Sequence, residues 1–214
     1  MDLLAEIDAR IEERHLLTHP FYAKWVGGTL PIEAIREYSR QYYAFESEFP
    51  RFLSSIHTRT ERRDLRQHLL DNLWDEEHGD ENHAELWLRF AEAIGAARDD
   101  VTAAEPNRAT GELLATYRER ARSVVGGVAA LHAYEAQLPR VAVAKIEGLR
   151  AHYGVERKDQ IAFWDVHRVL DLEHAEAERE ILGELAAEAP EEALEATEEA
   201  LGAWWDFLDA VDPD

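Results

Sequence analysis

"KDQIAFWDVHRVLDLEHAEAEREILGELAAEA", residues 158–189, has no proline and no strict alternation of apolar with polar residues, so it reads as one long helix. Within it, "HRVLDLEH" (167–174) sets His167, Asp171 and His174 among Val166, Val169, Leu170 and Leu172. At helical spacing Asp171 falls about 40° from His167, and His174 about 20° to the other side. One strip of the helix therefore carries two imidazoles and a carboxylate in apolar surroundings. Taken alone the run reads equally as a solvated face. Its meaning depends on what other helices bring to meet it.

The rest of the chain has the same helical character. "LLAEIDARIEERHLL" (3–17) keeps the 3.6-residue period, and "TLPIEAIREYSRQYYAFESEF" (29–49) starts near Pro31 and runs to Pro50. Residues 62–95 read as a long helix ending at Gly95 and loosened at Gly79. A connector over 97–110 has room for one short helix. Residues 111–154 read as another long helix with bends at Gly126, Gly127 and Pro139, and Pro190 opens the last one, to Val211. The expectation is an all-α chain, with seven or eight helices packed as one compact bundle over residues 1–214 and no internal repeats.

Composition narrows the function. The chain has 214 residues, 46% of them hydrophobic, long enough for one sizeable core. With no cysteine, disulfides, thiolate metal sites and cysteine nucleophiles are excluded. No apolar run is long enough to span a membrane, and "MDLLAEIDARIEER" lacks the positive start of a secretion signal, so a cytoplasmic protein is expected. Forty-five acidic residues against 23 basic ones give a net charge of −22. Such a chain repels nucleic acid and anionic membrane, and neither is an expected partner. The acid is spread along the sequence and lysine is confined to Lys24, Lys145 and Lys158. That pattern reads as adaptation to a salt-rich cytoplasm, where a Debye length of about 3 Å at 1 M mutes self-repulsion.

Two other segments offer partners for the opening strip. In "DNLWDEEHGDENHAELW" (71–87), Glu76 and His83 are two helical turns apart, and Glu76 falls in register with Leu69 and Leu73. In "VAALHAYEAQLPRV" (128–141), Glu135 follows an alanine- and valine-rich run, where a lone carboxylate needs a cation, a proton or hydrogen bonds. Glu76, His83, Glu135, His167, Asp171 and His174 thus form a set of imidazoles and carboxylates suited to two iron ions, or iron with manganese. Two divalent cations against three carboxylates leave a single net positive charge. The bland reading is that these carboxylates face water. Against it stand the semi-apolar faces on which all six lie.

With that set assembled, the chain resembles the heme-oxygenase-like diiron proteins of the TenA and PqqC superfamily, and within it the family of the Chlamydia protein associating with death domains. The resemblance extends from "HPFYAKW" (19–25) through "DEEHGDENHAELW" and "ALHAYEAQLPR" to "HRVLDLEH". It implies an O2-activating dimetal site in a helical bundle, with O2 and an external reductant as partners, and it is compatible with a homodimer. It further implies synthesis of para-aminobenzoate for folate, with a tyrosine of the protein as ring source and a lysine as nitrogen donor. Tyr22 matches that tyrosine, Tyr38 a second one nearby, and Lys145 the lysine. Lys145 has independent support. It shares a spacing of threes and fours with Leu131, Tyr134, Leu138 and Val141, which places it on a core stripe and adds Tyr134 to the candidates. Lysine, unlike arginine, can lose its proton and act as an amine. The family pattern can carry tyrosine where this chain has Phe163, so no radical can pass through that side chain.

Other activities of the same scaffold remain in view. A thiaminase needs a cysteine nucleophile, which is absent. A PqqC-like oxidase works without metal, which six metal-type residues argue against. An oxygenase acting on an added amino acid or fatty acid is the main alternative. A non-enzymatic interaction module would have no use for the six ligands.

Overall fold

The computed structural model describes residues 3–212, apart from the side chains of 169–174. Among the described residues it contains helices and turns but no strand. The helices are α1 (Leu3–Glu13), α2 (Pro20–Val26), α3 (Ile32–Glu46), α4 (Phe49–His57), α5 (Arg63–Glu77), α6 (His83–Ala93), α7 (Arg98–Thr102), α8 (Arg108–Arg120), α9 (Val124–Glu135), α10 (Leu138–His152), α11 (Ala162–Glu188) and α12 (Pro190–Val211), with a 3-10 turn at Leu16–Thr18. None is long and apolar enough to cross a membrane.

The count exceeds the seven or eight expected because two long segments are broken, one of them twice, and because α2 and α4 form where no helix was expected. The helix expected over 62–95 ends at Glu77. Gly79 then takes φ +82°, open to glycine but costly for other residues, and the Asn82 side chain caps α6 by accepting from the Glu85 N–H at 2.9 Å. The segment 111–154 breaks at Ser123, which caps α9, and again at Ala136 and Gln137. Pro139 cannot donate to the Glu135 carbonyl, so α9 stops at Glu135 and the proline sits in the first turn of a new helix. Tyr134 and Lys145 therefore lie on different helices, although both are buried as the stripe implied. Gly126 and Gly127 are not bends. They lie inside α9, where a Cβ on Gly127 would sit 2.6 Å from Ile56, so the glycine is what lets α4 approach.

Helix α9 is the axis of the molecule. Every residue from Gly126 to Glu135 is buried, as fits a helix apolar on all sides. It packs against α4, α8, α10, α11 and α12. Side chains such as Val128 and Leu131 each stabilise the fold by roughly 1.5–3 kcal/mol through burial. The long α11 lies across α5, α6, α9 and α10, which brings His167 to the helices carrying Glu76, His83 and Glu135. On the other side of the bundle α10 packs against α2. A Cβ on Gly148 would meet the Trp25 ring at 2.6 Å, and the Trp25 Nε1 donates to the Lys145 carbonyl at 3.2 Å. The absence of that methyl group sets how closely Lys145 approaches Tyr22.

Candidate metal centre

Glu76, in the last turn of α5, and His83, the first residue of α6, face each other across the Gly79 break. His167 meets them from α11. One ligating atom from each lies within 4.8 Å of the others, and all three side chains are buried. The His83 Nδ1 is 3.0 Å from Glu76 Oε1, while Glu76 Oε2 is buried without a hydrogen-bond partner. Burial, the largest single influence, pushes the His83 pKa down, but the Glu76 charge and hydrogen bond together with the Asp75 charge outweigh it and raise the value. The His167 Nδ1 lies 2.7 Å from the Phe163 carbonyl, which can only accept. The proton is thereby fixed on Nδ1, which makes Nε2 the nitrogen able to ligate a metal.

Glu135 enters from α9 and is 2% exposed. The Asn72 side-chain amide donates to its two oxygens at 3.1 and 3.4 Å. Burial, reinforced by Glu178, holds its carboxyl well above the usual range, and burial does the same to Glu178. Both shifts favour the protonated acids over the bare carboxylates. A bound cation would replace the proton. Glu46, Glu76, Tyr134, Glu135 and His167 line a common cavity whose volume for the centre of a water-sized sphere is ≈ 10 Å³, room for about one water or ion. Asp171 and His174, the remaining ligands expected, lie outside the described residues. Buried carboxyl and imidazole atoms with spare lone pairs, one of them orphaned, are what a metal ion would satisfy, so the donor set fits.

A second buried region adjoins the first. Lys145 is 1% exposed, and among the described residues no carboxylate pairs with it. Its Nζ donates to the Tyr38 hydroxyl. It sits 4.0 Å from the Trp164 ring centre, 4.4 Å from Tyr38, 5.2 Å from Tyr22 and 5.6 Å from Tyr42. Burial pushes its pKa well below the ordinary lysine value, toward a neutral amine. Tyr22 is also buried, and its phenol is raised by burial and partly offset by a hydrogen bond with Tyr38. The structure thus brings Tyr22, Tyr38 and Lys145 together, with the amine nearer Tyr38 than Tyr22.

Comparison with known proteins places this arrangement. A family model described as an iron-containing redox enzyme matches residues 36–205. The chain belongs to this family of iron-containing redox enzymes. It is 38% identical over 212 residues to a 4-aminobenzoate synthase of Chlamydia muridarum, covering 98% of this chain and 90% of that one. A 4-aminobenzoate synthase of Nitrosomonas europaea is 40% identical over 220 residues, covering 96% and 89%. Among solved structures, a TenA homologue from Pseudomonas syringae superimposes with a TM-score of 0.83 at 17% identity, over 97% of this chain and 90% of that one. A CADD-like protein from Nostoc punctiforme gives 0.71 at 21% identity, over 97% of each chain. The fold is heme-oxygenase-like, of the TenA and PqqC superfamily, and the protein is an iron-dependent oxidoreductase.

Within this iron redox enzyme, sequence reading passed over three side chains. Glu178 lies on α11 eleven residues after His167, continuing the 167, 171, 174 spacing by one more turn, so periodicity was a signal for it. Glu46, between Phe45 and Phe49, lines the metal cavity and had no such signal. Tyr42 follows Tyr38 by one turn of α3 and was hidden in an aromatic run. Phe163 stands against His167, with ring centres 4.2 Å apart.

Proposed function

We propose that this chain is itself a 4-aminobenzoate synthase that consumes its own Tyr22, with Lys145 giving the nitrogen. Glu76, His83, Glu135 and His167, with Asp171 and His174 by sequence, would hold two ions, iron or iron with manganese. When bound, these supply the oxidising power of O2, with electrons from an external reductant. Comparison of the two formulas fixes what the chain must do. The ring C–O bond of tyrosine gives way to a bond to nitrogen, the Lys145 Cε–Nζ bond breaks to release that nitrogen, and the Cα–Cβ bond breaks, with Cβ oxidised at the expense of O2 to the carboxyl carbon.

The observation that carries the reading is the buried, unpaired Lys145 amine among tyrosine rings. An ordinary core lysine would be matched by a carboxylate. This one is held in a position to lose its proton and to meet an oxidised ring. The Tyr38 hydroxyl orients the amine and can take or return its proton, and the aromatic walls exclude water. The test is Fe(II)-loaded protein given O2 and reductant, with product and chain mass followed together. Release of no more than a single equivalent per chain is expected, with the mass loss at the Tyr22 peptide. Repeated turnover of an added small molecule with Tyr22 intact would make it an ordinary oxygenase instead.

A further inference from the structure

Glu46, the last residue of α3, has no part in the reading above. It lines the metal cavity together with Glu76, and the same two side chains line a larger hollow where α3 and α5 end and α4 and α6 begin. For the centre of a water-sized sphere this hollow offers ≈ 210 Å³, against ≈ 10 Å³ in the metal cavity. Exposure falls along it. Ser47 and Glu77 are exposed, Asn82 and Ala84 are half-buried, and Glu76 and Glu46, which the two spaces share, are 7% and 4% exposed. The hollow therefore leads from solvent to the wall of the metal cavity.

Its charge sets it apart. Glu46, Glu76 and Glu77 supply three carboxylates, and among the described residues that line it there is no lysine or arginine. Three other surface hollows all carry arginine: Arg51 and Arg118 in one, Arg63 and Arg66 in the next, Arg179 in the third. A cleft lined by one sign of charge gathers the opposite ion and speeds its arrival by about 10- to 1,000-fold. At the inner end stands Glu76 Oε2, buried and without a hydrogen-bond partner. A divalent ion cannot pass bare through an apolar wall, and sheds its water only as other oxygens take its place. Phe49 and Leu138, elsewhere in the cavity lining, offer no such oxygen.

We propose that this hollow is the route by which a divalent cation enters the metal cavity, and that Glu46 is its transfer carboxylate. Glu77 attracts the hydrated ion at the rim. Glu46 replaces part of the water shell and passes the ion to Glu76, whose side chain borders both spaces. The role rests on the metal centre of the function proposed above and is independent of the fate of Tyr22. It makes Glu46 a determinant of how fast the centre fills, distinct from the side chains that hold the ions afterwards.

The test mixes metal-free protein rapidly with Co(II), whose visible absorption changes when imidazole and carboxylate replace water, and counts the bound ion at saturation. Glu46→Gln should load at least about tenfold more slowly than wild type and still reach the same final content. Glu46→Asp should restore most of the rate. Glu119→Gln removes the same charge from an exposed position on α8 and should load as wild type does. Ala84→Leu fills the hollow without touching a carboxylate, so it should slow uptake and release by the same factor and leave affinity unchanged. It carries the test if Glu46→Gln does not fold. A wild-type uptake rate in either Glu46→Gln or Ala84→Leu overturns the proposal, and a Glu46→Gln protein that loads at full speed but holds less metal makes Glu46 a fixed ligand instead. Equal slowing in Glu119→Gln would assign the effect to net charge and overturn the transfer role. Glu135→Ala should lose bound ion at saturation, and a full content there counts against the metal centre as drawn while leaving the entry rates to be read. A wild-type chain that binds no Co(II) overturns both.

Discussion

The metal cavity and the Lys145 cage lie side by side; the first gathers carboxyls, with only imidazoles beside them, and the second holds a lone amine among aromatic rings. Among the described residues no lysine or arginine pairs with Glu76, Glu135 or Glu178, and no carboxylate pairs with Lys145. A fold seeking stability alone would have joined them. Their separation gives two different solutions to the same desolvation cost. Burial holds the carboxyls of Glu135 and Glu178 well above the usual range, which a bound cation would reverse. The amine has only aromatic faces and a hydroxyl, and burial pushes its pKa well below the ordinary lysine value.

The largest effect should come from breaking the anionic side. Glu135→Ala is expected to lose at least one metal ion and to cut product formation by more than about 100-fold, beyond what loss of a supporting residue costs. The metal-free variant should melt no lower than metal-free wild type, because the substitution deletes a buried acid. Metal analysis, product assay and calorimetry check this together. In wild type, a divalent ion at about 100 times its Kd should add about 2.7 kcal/mol, and Glu135→Ala should shrink that gain.

Breaking the cationic side should give the opposite pattern. Lys145→Met and Lys145→Arg should both abolish product while binding metal normally. They should part on stability. Methionine fills an aromatic cage without charge, whereas a guanidinium that cannot deprotonate leaves an uncompensated buried cation, at a cost of about 3–5 kcal/mol. Equal melting temperatures for the two would mean that the cage admits water or a counter-charge.

A smaller effect separates both regions from an ordinary buried imidazole. His132 is 2% exposed, and burial lowers its pKa from 6.5 to about 4. A folded value below the unfolded one means stability is fully present above pH 6.5 and is lost as pH falls through that window toward about 4. The upper bound is about 3 kcal/mol, from 1.36 kcal/mol per pH unit. His132→Gln should flatten this part of the pH profile. An unchanged acid limb would show that other groups control it.

The smallest effect tests the surface. With a net charge of −22, raising KCl from about 0.1 to 1 M shortens the Debye length from about 10 to 3 Å and should raise the melting temperature by a few degrees. A flat response would assign the acid another purpose than salt tolerance.

How much of this was legible in the sequence differs between the two regions. The helical class followed from periodicity. Glu76 and His83 stood out as two turns of one helix, whereas they meet across the Gly79 break between α5 and α6, and His167 joins them only through tertiary packing. The breaks at Ser123 and Ala136 were not legible, since they depend on side-chain caps and on where Pro139 withholds its N–H. Gly127 misled for the same reason: its role is contact with Ile56 on another helix. The cage was half legible. Lys145 stood out as a rare lysine on an apolar stripe, whereas Tyr42 joins the cage only in the folded chain, with its ring centre 5.6 Å from the Nζ.

Tyr22 is 3% exposed, packed edge-on to Phe21 at 5.3 Å. A chain that surrenders this ring keeps a hole where a core aromatic stood. Removing a buried aromatic side chain costs about 3–5 kcal/mol, a large part of the roughly 5–15 kcal/mol that holds a domain together. A chain spent in the proposed reaction would therefore drop toward the threshold at which cellular proteases take over. The packing that shelters the ring before reaction marks the husk for disposal afterwards.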